Sequence, residues 1–325
     1  MRRLFWTLIW VALIYSLYWF GVSQLLQTGV QRASAVLAED GVDLTVGSVT
    51  TTGYPARFHT DLRDLRLVHP DWTWQAPQVR LQADSYRPLT VDVTFPQEQI
   101  ISVAEQELRV SSDDGTAAVT LRPTGMLGLD RASLAITQMQ VMSDAGWQLG
   151  LGQVTARLVH MGGPDAVYDV DFGVAQVTLP SGLLDQIDPD GSLGAELQSI
   201  AGAAHMTLAA PLDRNVQGSF PDIDHLDLRD LQVAWGPVMA EMSGEIAINA
   251  AGVPSGQIIL RSGQWQILLA VLTRAGVIDE RVATTMTRVA RFMADADGVL
   301  SVPVAFRDGV MLVGPVPVGP APVLR

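Results

Sequence analysis

His59 and Asp61 stand two apart within GYPARFHTDLRDLRL, residues 53–67. On a strand that spacing puts both on one face, where a carboxylate could orient an imidazole for general-base work. A triad also needs an exposed nucleophile, and no Gly-x-Ser-x-Gly elbow supplies one. The histidines form no His-Glu-x-x-His set. PDIDHLD gathers Asp222, Asp224, His225 and Asp227, and DPDG at 188–191 makes an acidic turn. A calcium loop needs about six oxygen ligands closed by a bidentate Glu, which neither stretch has. The core of the opening segment, DLRDL at Asp61–Leu65, recurs at Asp227–Leu231, with its neighbouring His and Asp differently placed. A pattern that returns without its chemistry reads as one structural unit used twice. Each copy is followed by strand, Trp, Pro, strand. Phe58 and Leu62 share one parity while Leu65 and Leu67 share the other, so a bulge is expected near Arg63. No catalytic residue, cofactor site or metal site is expected, and the chain does not read as an enzyme.

Composition narrows the chemistry further. All basic residues are arginines, and the chain has no cysteine. Lysine-dependent phosphate loops and Schiff bases are excluded, as are thiol nucleophiles, Cys-ligated metals and disulfides. A formal charge of −13 argues against nucleic acid as a partner. It argues equally against general attraction to anionic lipid surfaces.

Around these residues lie the elements that would position them. Leu4–Val22 is an uncharged apolar run behind Arg2 and Arg3, with Trp6, Trp10, Tyr18 and Trp19 near its ends. At about 1.5 Å per residue it approaches the ~30 Å hydrocarbon core of a bilayer. A cleaved signal peptide is the competing reading, with small residues at Gly21–Ser23. The run exceeds the ~7–15 residues of an ordinary signal core, which favours a retained anchor, residues 1–22. The arginines would hold Met1 in the cytoplasm and send the bulk of the chain into the periplasm of a bacterial inner membrane. Residues 23–40 carry Leu25, Leu26, Val30, Ala33 and Leu37 at helical spacing and read as a connector stopping at Gly41.

From Val42 the apolar period becomes two. LTVDVTF, YDVDFGV, GWQLGLGQVTARLVH, RASLAITQMQV, AAVTLR, HMTLAAPL, SGEIAINA and SGQIILR read as strands joined by polar turns. The fold class is therefore mainly β with α: an elongated, curled antiparallel sheet with one apolar face and covering helices. A first β-rich half at 41–180, a helical insert at 181–205 and a second half at 206–325 follow from the spacing. The second half holds a helix pair at 263–297, capped at Asp279, and ends in a Pro/Gly-rich tail. Trp72, Trp74, Trp147 and Trp235 fall in strand regions. They are read first as core, and otherwise, with Trp265, Leu268, Leu269 and Leu272, as the lining of an apolar groove.

GYPARF, WTWQAP, SYRP, the helical region from Trp265 to Asp297 and VPVAFRDGVMLVGPVPVGPAP together resemble a family of alphaproteobacterial envelope proteins. It is catalogued as domain-of-unknown-function family 2125 and is akin to the AsmA-like proteins. Gly53, Tyr54, Pro55, Arg57 and Phe58 carry the first motif, with Ala56 where the family has Phe. The resemblance implies an inner-membrane helix, an exported sheet curled into an apolar groove, and a part in lipid movement or envelope maintenance. The partner it implies is a phospholipid or other lipid, beside the membrane expected from the single Leu4–Val22 span and the envelope proteins expected from the tail. The alternative from the tail, Gly314 to Pro322, is a non-catalytic assembly or scaffold factor adding an extended segment to a partner's sheet.

Overall fold

The computed structural model describes residues 13–24, 28–29, 34–35, 37–38, 41–163, 166–216 and 220–324. The first half of the expected span, Leu4 to Ala12, lies outside these residues, as do Leu25, Leu26, Val30 and Ala33. Residues 13–24 are helical (α1). Among the described residues no helix is long and apolar enough to cross a membrane.

The strands are β1 (Asp43–Thr52), β2 (Arg57–Val68), β3 (Trp72–Asp84), β4 (Arg87–Thr94), β5 (Glu98–Val103), β6 (Gln106–Ser111), β7 (Asp114–Leu121), β8 (Leu129–Ser143) and β9 (Gln148–His160). They continue as β10 (Val167–Thr178), β11 (Glu196–Leu208), β12 (Ile223–Trp235), β13 (Val238–Ile248), β14 (Pro254–Ser262), β15 (Leu300–Arg307), β16 (Val310–Val313) and β17 (Val316–Pro320). All belong to one 17-stranded sheet. Nearly every strand pairs antiparallel with its neighbours in the chain, so the sheet is a meander. β3 meets β5 near its start and β4 near its end, and β8 meets β7 and then β6. Thus β4 runs on into β5, and β6 into β7, as two long strands interrupted at 95–97 and 112–113. The two expected halves are one sheet, because β10 pairs with both β9 and β11.

Partners directly opposite each other share a face. One row runs Leu81, Val93, Ala117, Leu134, Ala156, Phe172, Gly202, Leu231, Met242, Leu260, Val302, from β3 to β15. A second runs Ile136, Val154, Val174, Ile200, Val233, Ala240. The sheet thus has one apolar face that continues from strand to strand, and the charged residues occupy the other.

Keeping that face apolar needs a device, because the alternation slips in several strands. In β8 the inward positions pass from Ile136 to Met139, in β9 from Leu151 to Val154, and in β10 from Val174 to Val177. The register does not shift there. Gln138 and Gln176 instead adopt positive φ, 50° and 55°. A left-handed residue swings its Cβ toward the next strand, and Gly152, which lies between them, has none to collide. A Cβ there would sit 2.5 Å from Gln176 Oε1 and 2.8 Å from its Cβ. β1 to β3 repeat the arrangement with Asp64 (φ 53°), Gly47 and Pro77, whose missing N–H suits a break in the ladder. The irregularity expected near Arg63 is this one, and no residue is inserted. The second DLRDL copy changes parity by a true bulge between Leu228 and Leu231. The two copies share a job, moving a strand's inward set by one position, and do it by different means.

The helical layer covers part of the apolar face. α2 (Ser181–Ile187) is shorter than the expected insert 181–205, since residues 196–208 form β11. That stretch turns Leu197, Ala204, Met206 and Leu208 inward and belongs to the sheet. α3 (Trp265–Arg274) and α4 (Glu280–Met293) match the expected pair, and Asp279 caps α4 by accepting from the Arg281 N–H at 2.8 Å. The Pro/Gly tail forms β17 on β16, and Ala321 and Leu324 donate to Gly309 O and Gly252 O. It is engaged within this chain.

Gly152→Val should cost about 1–3 kcal/mol by overpacking, whereas Gly150→Ala, whose Cβ would lie 3.4 Å from Thr178 Cβ, should be tolerated. Urea unfolding of both variants checks this; equal midpoints would show that the left-handed kink does not depend on the missing Cβ.

Candidate functional site

Side chains from β2 to β8 surround one hollow of about 450 Å³. Leu67 and Trp74 enter from adjacent strands, Ile101 and Val110 from β5 and β6, and Leu134, Ile136 and Met139 from β8, with Phe95 at the β4–β5 break. The volume falls in the ~300–1,000 Å³ range of small-molecule sites. Among the described residues its only polar side chains are Gln99 and Ser112, apart from the tryptophan indoles, and Gln99 Oε1 accepts the Trp74 indole N–H at 2.9 Å. With no titratable group in the lining, it can bind apolar matter and hold it. It has no means of acid–base chemistry.

The eight residues expected to line a groove are not brought to one place. Trp72 and Trp74 border the hollow. Trp147 lies at a separate, more polar space beside the start of α2, with its N–H on Gln106 Oε1. Trp235 is core, packed with Val177, Ile187, Leu193, Leu197 and Val238, and it donates to Gly194 O. Trp265, Leu268, Leu269 and Leu272 enclose a cavity beneath α3 and α4 of about 60 Å³. A cavity that holds benzene is about 150 Å³, so as it stands this one is too small for an acyl chain. Phe95, Ile101, Val110, Leu134, Ile136 and Met139 were missed. Their signal was the alternation in β5, β6 and β8, obscured by the parity change at Gln138.

The GYPARF motif has a role that its residue types do not announce. Gly53, Tyr54 and Pro55 form the β1–β2 turn, and Arg57 and Phe58 begin β2. Phe58 is fully buried beneath Trp19 of α1, ring on ring at 5.4 Å, with Tyr54 edge-on to the same indole. Tyr15 Oη donates to Pro55 O at 2.6 Å, Trp19 Nε1 to Arg57 O at 3.0 Å and Tyr18 Oη to Ser85 O at 2.9 Å. The motif is the receptacle for the helix.

His59 and Asp61 share a face, but the Asp61 carboxylate is taken by Arg80 at 2.8 Å and Gln78 at 2.9 Å. The Arg80 hydrogen bond holds Asp61 below the usual carboxylate range, against partial burial and with help from Gln78. Of the PDIDHLD set, Asp227 meets His205 rather than His225, at 3.5 Å, and His205 also faces Asp169 at 3.4 Å. Arg229 pairs with Asp169 at 2.6 Å, making this a charged surface ladder on the polar face. Among the described residues no group of three or more His, Asp or Glu side chains is placed to hold a metal ion.

A family profile described as "Uncharacterized protein conserved in bacteria (DUF2125)" matches residues 19–322. The chain belongs to this family. The DUF2125 match opens at Trp19, the residue that α1 buries on the hairpin, and takes in every strand. Its description reaches bacteria in general and says nothing of alphaproteobacteria or of AsmA-like proteins. No curated protein and no solved structure matched the chain.

The acidic turn DPDG closes α2. Burial alone would raise the Asp188 pKa, but bonds from the Leu193 N–H, the Ser192 hydroxyl and N–H and the Gly194 N–H outweigh it and hold the carboxyl below its ordinary value. Its contribution is therefore fully present above about pH 4 and is lost as pH falls through the lowered pKa. Asp188→Ala, which strands those donors, should cost about 1–3 kcal/mol at neutral pH. The deficit relative to wild type should shrink in acid. A deficit that stays constant down to about pH 2 in denaturation curves would contradict this assignment.

Proposed function

We propose that the chain is a membrane-anchored envelope protein, held in the bacterial inner membrane by its N-terminal apolar run, whose sheet in the periplasm binds or passes lipid acyl chains. The observation that carries this is the unbroken apolar face with a hollow of about 450 Å³ and no ionisable lining. An acyl chain suits such a site, because each methylene buried there contributes about 0.8 kcal/mol and asks for no polar partner. The AsmA-like kinship and the curled groove are parts of the same proposal. Its supports are the meander, the single apolar face and the Leu4–Val22 sequence. The scaffold alternative is left with the outer edge of β17, since the tail's own backbone is already bonded to β16 and the 252 and 309 turns.

The test is binding of a fluorescent sixteen-carbon fatty acid to the full chain in nanodiscs of short-chain lipid, read by energy transfer from tryptophan. Leu134→Trp, which fills the hollow, should weaken binding about tenfold or more while leaving thermal unfolding within a few degrees. His59→Ala and His225→Ala, away from the hollow, should bind as wild type does. Equal affinity for Leu134→Trp and wild type would remove the hollow as the binding place.

A further inference from the structure

The meander sorts its turns to two ends. Turns 53–56, 85–86 and 122–128 and the links that follow β9 and β11 fall at one end, and α2, α3, α4 and the 236–237 turn fall at the other. α1 docks at the first end. Trp19 packs on Phe58 within β2 and Tyr15 reaches Pro55 in the turn, so going back along the helix leads out past the end of the sheet. The sequence preceding it, Leu4 to Ala12, is uncharged and apolar.

Two further observations concern this end. First, five carbonyls in or beside turns 53–56 and 85–86 are already satisfied: Gly53 O by the Arg57 N–H, Pro55 O by Tyr15, Ala56 O by the Ser85 N–H and hydroxyl, Arg57 O by Trp19, and Ser85 O by Tyr18. Surface turns ordinarily leave such groups to water, whereas here they are bonded within the chain, which suits a backbone set at the edge of the hydrocarbon layer, where water is scarce. Second, apolar side chains remain exposed there. Ile14 and Leu17 on the free side of α1 are 62% and 66% exposed, and Tyr86 is 73% exposed, with the Arg87 guanidinium 5.9 Å above its ring. Met126 stands out from the 122–128 turn. Aromatic rings with an arginine beside them are what a membrane–water interface favours.

We propose that this end of the sheet is a seating rim: turns 53–56, 85–86 and 122–128 rest in the headgroup layer of a phospholipid bilayer, held there by α1. The inference rests on the membrane-anchor reading and adds an orientation to it. The apolar face then stands with its strands rising from the bilayer, and Phe58, at the foot of that face, meets the helix at the lipid surface.

Because the natural chain has no cysteine, one introduced cysteine takes a fluorophore uniquely. Full-length Tyr86→Cys, Met126→Cys and Met239→Cys, each labelled with bimane, go into phosphatidylcholine–phosphatidylglycerol vesicles with and without a shallow doxyl quencher. Met239, exposed at the opposite end, is the reference. Flotation on a density gradient reports membrane association separately. The expected result is flotation of all three, with fluorescence at 86 and 126 at least halved by the quencher and that at 239 unchanged. Chains that float with 86 and 126 unquenched overturn the seating rim and leave the anchor standing. Chains that do not float overturn the anchor reading and the rim together.

Discussion

A side chain on a strand can reach only one of two faces, and in this sheet the large apolar side chains of successive strands must mostly find the same one. With strands joined in chain order, no crossover helix can hide a wrong-facing residue, so a parity error in one strand would break the rows on both sides. The left-handed kinks resolve this. They cluster in register, Asp64 beside Gly47 and Pro77, Gln138 and Gln176 on either side of Gly152, because a parity change in one strand is useful only if its neighbours change at the same level. Each such residue costs about 1–2 kcal/mol when it is not glycine. The return is an apolar row that runs from strand to strand without a charged residue.

That face is finished in two ways. At one end of β9 to β16 it is closed by α2, α3 and α4, which bury Trp235, Trp265 and Leu269 and leave a space smaller than a benzene ring needs, while Phe172 farther along the same face stays exposed. Over β2 to β8 none of the helices α2 to α4 lies on it, and the sheet's own side chains border an open hollow. The same surface is thus core beneath the helices and accessible beyond them. The tryptophans follow this division: each indole N–H described above has a protein acceptor, which fixes Trp74, Trp147 and Trp235 as struts of their local walls.

Much of the fold was legible in the residues. Strands such as YDVDFGV were plain because period-two alternation is a direct image of the pleat, and the α3–α4 pair because Asp279 and the Trp265–Leu272 stripe mark start and face. The slip between Leu62 and Leu65 pointed to the irregularity at Asp64. Only the end of β11 was legible, in HMTLAAPL; the rest was hidden, since its Ala and Gly positions mimic a loop near a helix. The receptacle role of GYPARF was hidden too. It depends on Trp19 and Tyr15 arriving from some forty residues away, and local pattern carries no trace of a partner so distant. The grouping of Trp residues into separate spaces was likewise a matter of register, which single strands do not encode.

The meander has one more consequence, for the order of events as the chain is made. Nearly every strand finds its partner in the strand just before it, with short turns between most of them, so the loops to be closed are small and the sheet can lengthen from its first hairpin onward. The tie between α1 and the turns at 55 and 85 can form once about a quarter of the chain has emerged. A chain released N-terminus first therefore starts from a finished hairpin fastened to its own leading helix, and each later strand meets a prepared edge. Until the next strand arrives, that growing edge is the unpaired backbone it must keep from its neighbours.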